Sequence, residues 1–515
     1  MEEKSMDAAE DHISKLPVPI LQHFLSLLLA KDAAQISTFS KSWYTAWTSL
    51  SHLNFGDKFF YREVDDRKIL SEKILELLNI VDQTLANQKK QKVSIQKFCL
   101  TLPSGHCSSN NVHNWIKTLV ATNIKELILI VGGLVDSFNT LPEEIFASKG
   151  LNALKLRGFK LELPLDGIKF SSLRKLDLSN TYFDEQFLRA LCASCSGLEK
   201  LSLSDCHGLA SLQIAGTLPK LKRVWLRCLP EFQMADIVAP NLEDLYIEGC
   251  HWKLQVIKIT CCKALKNLSL ANVNVTDECL EDLLFNPPNL KYLNLSACFE
   301  LQTIKISSDQ LEYLALSSCF NLIDVELDTP NLTRFNYDFL DQLPTLKLMK
   351  ASVLLEVELY LIPGKRLDNP WYSMLMKFLG NFKQSKAIKL DCWYWDAIVI
   401  PKDMRKKLVP PLHGTTSLHT KFEISGNNSL VDILDSLVWI SPQLDTLSFV
   451  RDVELTRTMK FIYEDASAED EKTIWRHKLK EVKMENFTSM EQQELRNYLF
   501  RLHRRRNVHC LTDRT

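Results

Sequence analysis

Cysteine is the residue type in this chain whose spacing most invites a chemical reading. Fourteen occur among 515 residues, and Cys206-His207, Cys250-His251 and Cys261-Cys262 place soft ligands side by side. A zinc or redox centre needs C-x-x-C pairs recurring at ligand spacing, and none recur. The acidic run Glu464–Glu471 has no nucleophile or histidine pattern beside it, and reads as a solvated loop. Motifs for nucleotide binding, zinc proteolysis and a serine nucleophile are all missing, and fifteen glycines leave few phosphate-cradling loops. No catalytic residue, metal or cofactor is expected, and an enzyme is the least favoured class. Arg501, Arg504, Arg505 and Arg506 read either as a nuclear-localisation or nucleic-acid patch or, preferably, as a solvated face. With 62 basic against 63 acidic residues the net charge is -1. That balance supplies no global attraction to nucleic acid or to an anionic membrane, so neither is an expected partner.

The same side chains bear on compartment. The opening MEEKSMDAAEDH is acidic and polar, unlike a secretory signal. Residues 124–135 form one of the longest apolar runs, but Lys125, Glu126 and two glycines interrupt it, and it is too short to span a bilayer. The thiols are therefore expected to be reduced, in the cytoplasm and/or nucleus. The triplets at Asn267, Asn294, Asn331 and Asn486 should stay unglycosylated.

The elements that carry these residues repeat. The frame Leu173-x-x-Leu176-x-Leu178 returns at Leu198/Leu201/Leu203, Leu221/Val224/Leu226, Leu242/Leu245/Ile247, Leu265/Leu268/Leu270, Leu290/Leu293/Leu295, Leu311/Leu314/Leu316 and Leu332/Phe335/Tyr337. Looser copies lie upstream from Ile95 and downstream through Leu479, so roughly fifteen units of about 21–25 residues run from about residue 93. Each L-x-L is a short strand with its leucines inward and its x positions outward. Stacking then buries the leucine columns as no single unit could. Cys206, Cys250, Cys298 and Cys319 stand three residues after the last leucine of a strand, the slot where such a chain turns off the strand. That slot accounts for these thiols structurally. The outward ladder includes Arg223, Trp225, Tyr246, Tyr292, Tyr313 and Arg334, residue types enriched in binding hot spots, and these form a candidate target-binding patch. On the opposite side, 184–192 and 276–284 have helical spacing. Leu209/Leu212/Ile214, Leu301/Ile304/Ile306 and Leu322/Val325/Leu327 are strand-like.

The fold class is therefore α/β: a small three-helix module, then a curved leucine-rich-repeat solenoid with parallel strands on its concave face and a mixed helix/strand convex side. The boundaries are 1–10 for a disordered N-terminus, 11–55 for the module, 56–92 for a helical linker, 93–460 for the solenoid and 461–515 for the last repeats. In the module, Pro17 and Pro19 open a first helix. Asp32-Ala-Ala-Gln35 reads as a capping-box variant opening a second, and Ser40 precedes a third carrying Trp43 and Trp47. Apolar residues from Ile69 to Leu85 recur at helical spacing and tie the module to the repeats.

Residues 11–50, D-H-I-S-K-L-P-x-x-I-L…S-x-x-S-K-x-W-x-x-x-W-T-S-L, resemble the F-box of plant F-box/leucine-rich-repeat proteins. His477–Phe487 with Glu491–Phe500 is similar to the FBD segment found on many of them. Three positions depart from the family pattern: Val18-Pro19, Leu28-Leu29-Ala30 and Ser42. The resemblance implies a substrate receptor of an SCF-type ubiquitin ligase: the F-box docks a Skp-type adaptor and, through it, a cullin, and the repeats hold a target protein. Leu16, Pro17, Ile20, Leu21, Leu25, Leu28, Trp43 and Trp47 would face the adaptor. For Leu21, Leu25 and Trp47 the module's own core is an equal alternative, because so small a module cannot bury every apolar residue alone. Competing functions are a repeat scaffold without ligase engagement and a small-molecule receptor of the plant-hormone type.

Overall fold

The structure, a computed structural model, describes residues 13, 15–28, 30–56, 67–102, 109–132, 138–250, 256–285, 287–340, 343–349, 354–362, 367–424, 429–450, 456–463, 479–502 and 509–512. The expected disordered N-terminus at 1–10, the acidic run Glu464–Glu471, His251 and Arg504–Arg506 lie outside these residues. The chain divides into two compact units, Met1–Cys262 and Lys263–Thr515.

The first unit opens with three short helices, α1 (Val18–Ser26), α2 (Ala30–Ser37) and α3 (Lys41–Thr48). Pro17 is the N-cap of α1 and Pro19 lies in its first turn, where the missing amide hydrogen is not needed. Helix α2 begins at Ala30, so Asp32 lies inside its first turn rather than capping it as expected. Ser40 caps α3 by accepting from the Trp43 amide at 3.3 Å. The strand His52–Phe55 follows, then helix α4 (Arg67–Lys90), whose Ile74, Leu77, Val81 and Leu85 are buried.

Eight parallel strands make the main sheet of this unit: His52–Phe55, Lys97–Leu102, Glu126–Val131, Ala153–Arg157, Lys175–Ser179, Lys200–Ser204, Arg223–Arg227 and Asp244–Glu248. The register stacks Leu176, Leu201, Val224 and Leu245 in one column and Leu178, Leu203, Leu226 and Ile247 in the next. All eight side chains are buried. Helix α5 (Ser109–Ala121) and α6 (Glu185–Ser194) connect strands, and Asp184 caps α6 on the Phe187 amide. A second sheet of three parallel strands joins Ser211–Ala215, Met234–Val238 and Val256–Thr260. Only the first of the three carried a visible signal, because Ala235 and Ile237 alternate too briefly to stand out from loop.

The second unit repeats the plan. Its main sheet runs parallel through Asn267–Ala271, Tyr292–Ser296, Tyr313–Ser317, Arg334–Leu340, Glu356–Ile362, Ala387–Tyr394, Ser417–Ile424 and Thr446–Val450. A second three-stranded sheet holds Thr303–Ser307, Asp324–Asp328 and Thr345–Leu348. Helices α7 (Asp277–Phe285), α8 (Asn369–Leu379), α9 (Lys402–Arg405), α10 (Leu430–Ile440) and α11 (Ser489–Leu502) complete it. The end departs from a uniform parallel array: Thr456–Tyr463 pairs antiparallel with both Thr446–Val450 and Leu479–Glu485, and His509–Thr512 pairs parallel with the latter.

Six turns off main-sheet strands are made the same way. Asn180, Asp205 and Cys228 in the first unit, and Asn272, Ala297 and Ser318 in the second, follow their strands immediately with φ between 43° and 55°. The left-handed conformation throws the chain sideways, and the next residue points back inward. Where that residue is cysteine its thiol donates to the carbonyl of the preceding unit: Cys206 to Leu178 at 3.3 Å, Cys298 to Leu270 at 3.7 Å and Cys319 to Leu295 at 3.6 Å. Cys262 does the same from the second sheet, to Ile237 at 3.8 Å.

Candidate binding faces

The N-terminal module sorts its apolar side chains into two sets. Leu21, Leu25, Ala33, Ala46 and Leu50 are buried and Trp43 nearly so; together they are the module's core. Gln22 clips α1 to α3 by donating to the Ser49 carbonyl at 3.0 Å and to its hydroxyl at 2.9 Å. The other set stays in solvent: Ile20 is 43% exposed, Phe24 47%, Leu27 69%, Phe39 74% and Tyr44 59%. Pro17 is exposed, and Leu16, Leu28 and Trp47 are half-buried. Two apolar stripes run along α1, one residue out of phase, and packing against α3 decides that 21/25 goes inward and 20/24 outward. Phe24, Leu27, Phe39 and Tyr44 carried no distinguishing signal in the sequence, since helical spacing alone serves either stripe.

This module is built into the sheet. Its last strand, His52–Phe55, is the edge strand beside Lys97–Leu102, in register from His52↔Lys97 to Phe55↔Leu100. The Phe55 and Phe98 rings meet at 5.7 Å. Helix α4 is pinned to α5 by the Trp115 indole, which donates to Asp82.

On the main sheet of the first unit the outward positions bring Arg223, Trp225 and Tyr246 together. Trp225, 48% exposed, lies 6.1 Å from the Tyr246 ring, and the Lys200 ammonium sits 5.0 Å over its face. Arg223 pairs with Asp244 at 3.0 Å and Arg227 with Glu248 at 3.2 Å. Tyr246 donates to Glu248 at 2.6 Å, and burial together with that carboxylate pushes its phenol up to about 12.

In the second unit Tyr292 and Tyr313 stack at 4.3 Å with their planes 2° apart, and the Arg334 guanidinium lies 5.9 Å over Tyr313. Asn336 donates to the Tyr313 hydroxyl at 3.0 Å and to Glu358 at 3.2 Å. Beside this shelf is a cavity of about 260 Å³ lined by Ser317, Asn336, Asp338, Glu358, Tyr360, Lys389 and Asp391 among others. Asp338 accepts from the Ser318 amide at 2.6 Å, and Asp391 accepts from the Lys421 amide at 3.0 Å and pairs with Lys389 at 3.4 Å. Burial raises both aspartates above the ordinary carboxylate value and lowers the neighbouring His419. The sequence frame missed this cavity because Asp338 and Tyr360 lie beyond the L-x-L core, on strands that run to seven residues.

The cysteine pairs do not converge. Cys206 is turned into the core, Cys261 is exposed while Cys262 is buried, and among the described residues no three His, Cys, Asp or Glu side chains cluster for a metal. Burial pushes the Cys206 thiol up to about 12 and that of Cys192 to about 11, the reverse of what a thiolate ligand needs. No described helix is long and apolar enough to cross a membrane.

The repeats match two family descriptions: the leucine-rich repeats of the FBD-associated F-box protein At5g56370 over residues 112–266, and the leucine-rich-repeat domain of At1g61320/AtMIF1 over 245–362. In these repeats the chain is similar to plant F-box/leucine-rich-repeat and FBD-associated F-box proteins. Among relatives from Arabidopsis thaliana, the putative F-box/LRR-repeat protein At5g41840 is 27% identical over 42% of this chain and 42% of its own length. The FBD-associated F-box protein At4g10400 is 28% identical over 42% of this chain and 50% of its own length. The chain thus spans about half the length of these curated relatives. A longer, weaker match, the putative FBD-associated F-box protein At5g22720, is 23% identical over 79% of this chain and 78% of its own length. The three-helix module lies N-terminal to these matched repeats and helix α11 lies C-terminal to them.

Proposed function

We propose that the chain is the substrate-recognition subunit of an SCF-type ubiquitin ligase, acting in the cytoplasm or nucleus. The F-box docks a Skp-type adaptor and through it a cullin, and the outward face of the repeats holds the target protein. The observation that carries this reading is the exposed set Ile20, Phe24, Leu27, Phe39 and Tyr44 on a module whose core is already complete. Large apolar side chains left in water beside a filled core mark an interaction site. The chain contributes position rather than reacting groups: it raises the target's local concentration beside the ubiquitin-charged enzyme. The strand His52–Phe55 and helix α4 suit that task, because both tie the module into the first repeats instead of leaving it on a tether.

Co-purification with a Skp-type adaptor tests the reading, with Ile20→Asp/Phe24→Asp as the control. The wild type should capture the adaptor. The double variant should lose capture while its circular dichroism and melting curve stay unchanged, since neither side chain belongs to the core. A folded wild type that captures no adaptor would leave a repeat-based binding scaffold without ligase engagement.

A further inference from the structure

We propose that one edge of the first unit, where the chain leaves α4 and α5 to enter the sheet, docks an acidic extended segment of another protein. The surface is separate from the outward ladder and from the exposed stripe of α1, and it stands whether or not the chain serves a ligase.

A cavity of about 480 Å³ opens between the ends of the two helices, and Lys89, Lys92 and Lys117 line it together with small side chains from both. The Ser94, Thr118 and Thr122 hydroxyls on its wall donate to the carbonyls of Thr122, Asn114 and Leu119 at 3.0, 3.0 and 2.8 Å. Among these side chains only the ammonium groups remain to donate to a ligand. The positive charge continues along the edge. The Lys125 ammonium lies beside the next turn, where a Cβ on Gly150 would be 3.1 Å from its Nζ, and Lys149 is on that turn. Lys169 follows one turn on: its amide donates to the Phe146 carbonyl at 2.7 Å, and the Ser171 hydroxyl to that of Lys149 at 3.4 Å. Turns stack at the strand spacing of about 4.8 Å, so three steps carry the row about 15 Å, the reach of roughly five extended residues.

Among the described residues Glu144 alone brings a carboxylate to ion-pair distance of these six lysines, on Lys117 at 3.2 Å; the other five have none. Helix C-termini attract basic residues, which accounts for Lys89 but not for Lys125, Lys149 or Lys169, all outside the helices. In a chain of net charge -1, such a row on one edge is complementary to carboxylates. The cavity selects among anions. No arginine lines it and both helices end there, so a singly charged carboxylate suits it better than a phosphate dianion. A rigid nucleic-acid duplex can lie along the edge but cannot enter, whereas an acidic side chain on a flexible segment can.

Fluorescence anisotropy of the full chain with labelled hexaglutamate tests this, beside labelled hexaglutamine, which has the same length and no side-chain charge. Hexaglutamate should bind about tenfold or more tightly at about 50 mM salt, and that preference should shrink as salt rises. Lys89→Glu/Lys149→Glu and Lys92→Glu/Lys169→Glu reverse charges at exposed positions, so each should lose the preference with circular dichroism unchanged. Lys305→Glu, exposed on the second unit, should keep it. Equal binding of the two peptides, no binding of either, or a preference surviving in either double variant would overturn the proposal. A labelled DNA duplex that binds as tightly as hexaglutamate, and is lost in the same variants, would assign the edge to nucleic acid instead.

Discussion

At the scale of single residues, the chemistry of this chain is governed by which side chains the repeats remove from water. Cys206 shows it: the position after a left-handed turn buries the thiol against the Leu178 carbonyl. The thiol ionises near 9.0 in the unfolded chain and near 12 in the fold. Between those values the unfolded state has released a proton that the native state still holds. The contribution of this group to stability is therefore complete below pH 9.0 and is lost as pH rises toward 12. Denaturation midpoints should fall above pH 9, and less so in Cys206→Ala when both are referred to their values at pH 7. Iodoacetamide at pH 8 should label the exposed Cys261 and spare Cys206 in the folded chain, which peptide mapping by mass spectrometry reads directly. The two stripes of α1 separate as cleanly. Leu25→Ala should cost about 2–5 kcal/mol in denaturant unfolding and Ile20→Ala no more than about 0.5 kcal/mol. The types and periods of Leu25 and Ile20 were legible in the sequence. The assignment of one to core and the other to surface was not, because a helix with two adjacent apolar stripes does not say which neighbour it will meet.

At the scale of elements, periodicity made the main strands plain, while turns, edges and ends depended on contacts between distant residues. Gly158 is an instance. It stands at φ +82° between the strand Ala153–Arg157 and the short strand Phe159–Lys160, and a Cβ there would lie 2.2 Å from the Val131 carbonyl oxygen. Gly158→Ala combines left-handed strain with a backbone clash, so it should cost about 1–3 kcal/mol or more and lower the melting temperature. Thr488 opens α11 in a reciprocal box: its amide donates to Glu491 at 2.9 Å and the Glu491 amide donates to its hydroxyl at 3.3 Å. Thr488→Ala should cost about 1 kcal/mol and loosen the last helix first, visible as faster amide exchange over 489–502. The strand His52–Phe55 escaped the sequence reading because four residues with one apolar alternation have no period to detect. It is identifiable only beside Lys97–Leu102, which supplies its hydrogen-bond partners. Phe55→Ala, which empties the contact with Phe98, should cost about 3–5 kcal/mol.

At the scale of the whole molecule, a balanced charge and an array of like units set the general behaviour. The basic residues Arg223 and Arg227 on the first unit's outward ladder are already paired with acids across the strands. Together with a net charge of -1, this predicts no fluorescence-anisotropy change with a labelled DNA duplex at about 150 mM salt, where nonspecific binders still respond. The sequence by itself determined that the chain repeats, that strands alternate leucine-in and polar-out, and that cysteine occupies the turn, because each is a local consequence of a period and a residue size. Tertiary structure decided what those periods could not express. It chose which stripe of α1 is core, closed the second unit with antiparallel strands, and separated the six ladder residues into two local clusters in different units. It also placed Asp338, Tyr360 and Asp391 on neighbouring strands although more than twenty residues separate each from the next. A cavity on a sheet is assembled across strands, and the pairing that assembles it is a property of register in space rather than of spacing along the chain.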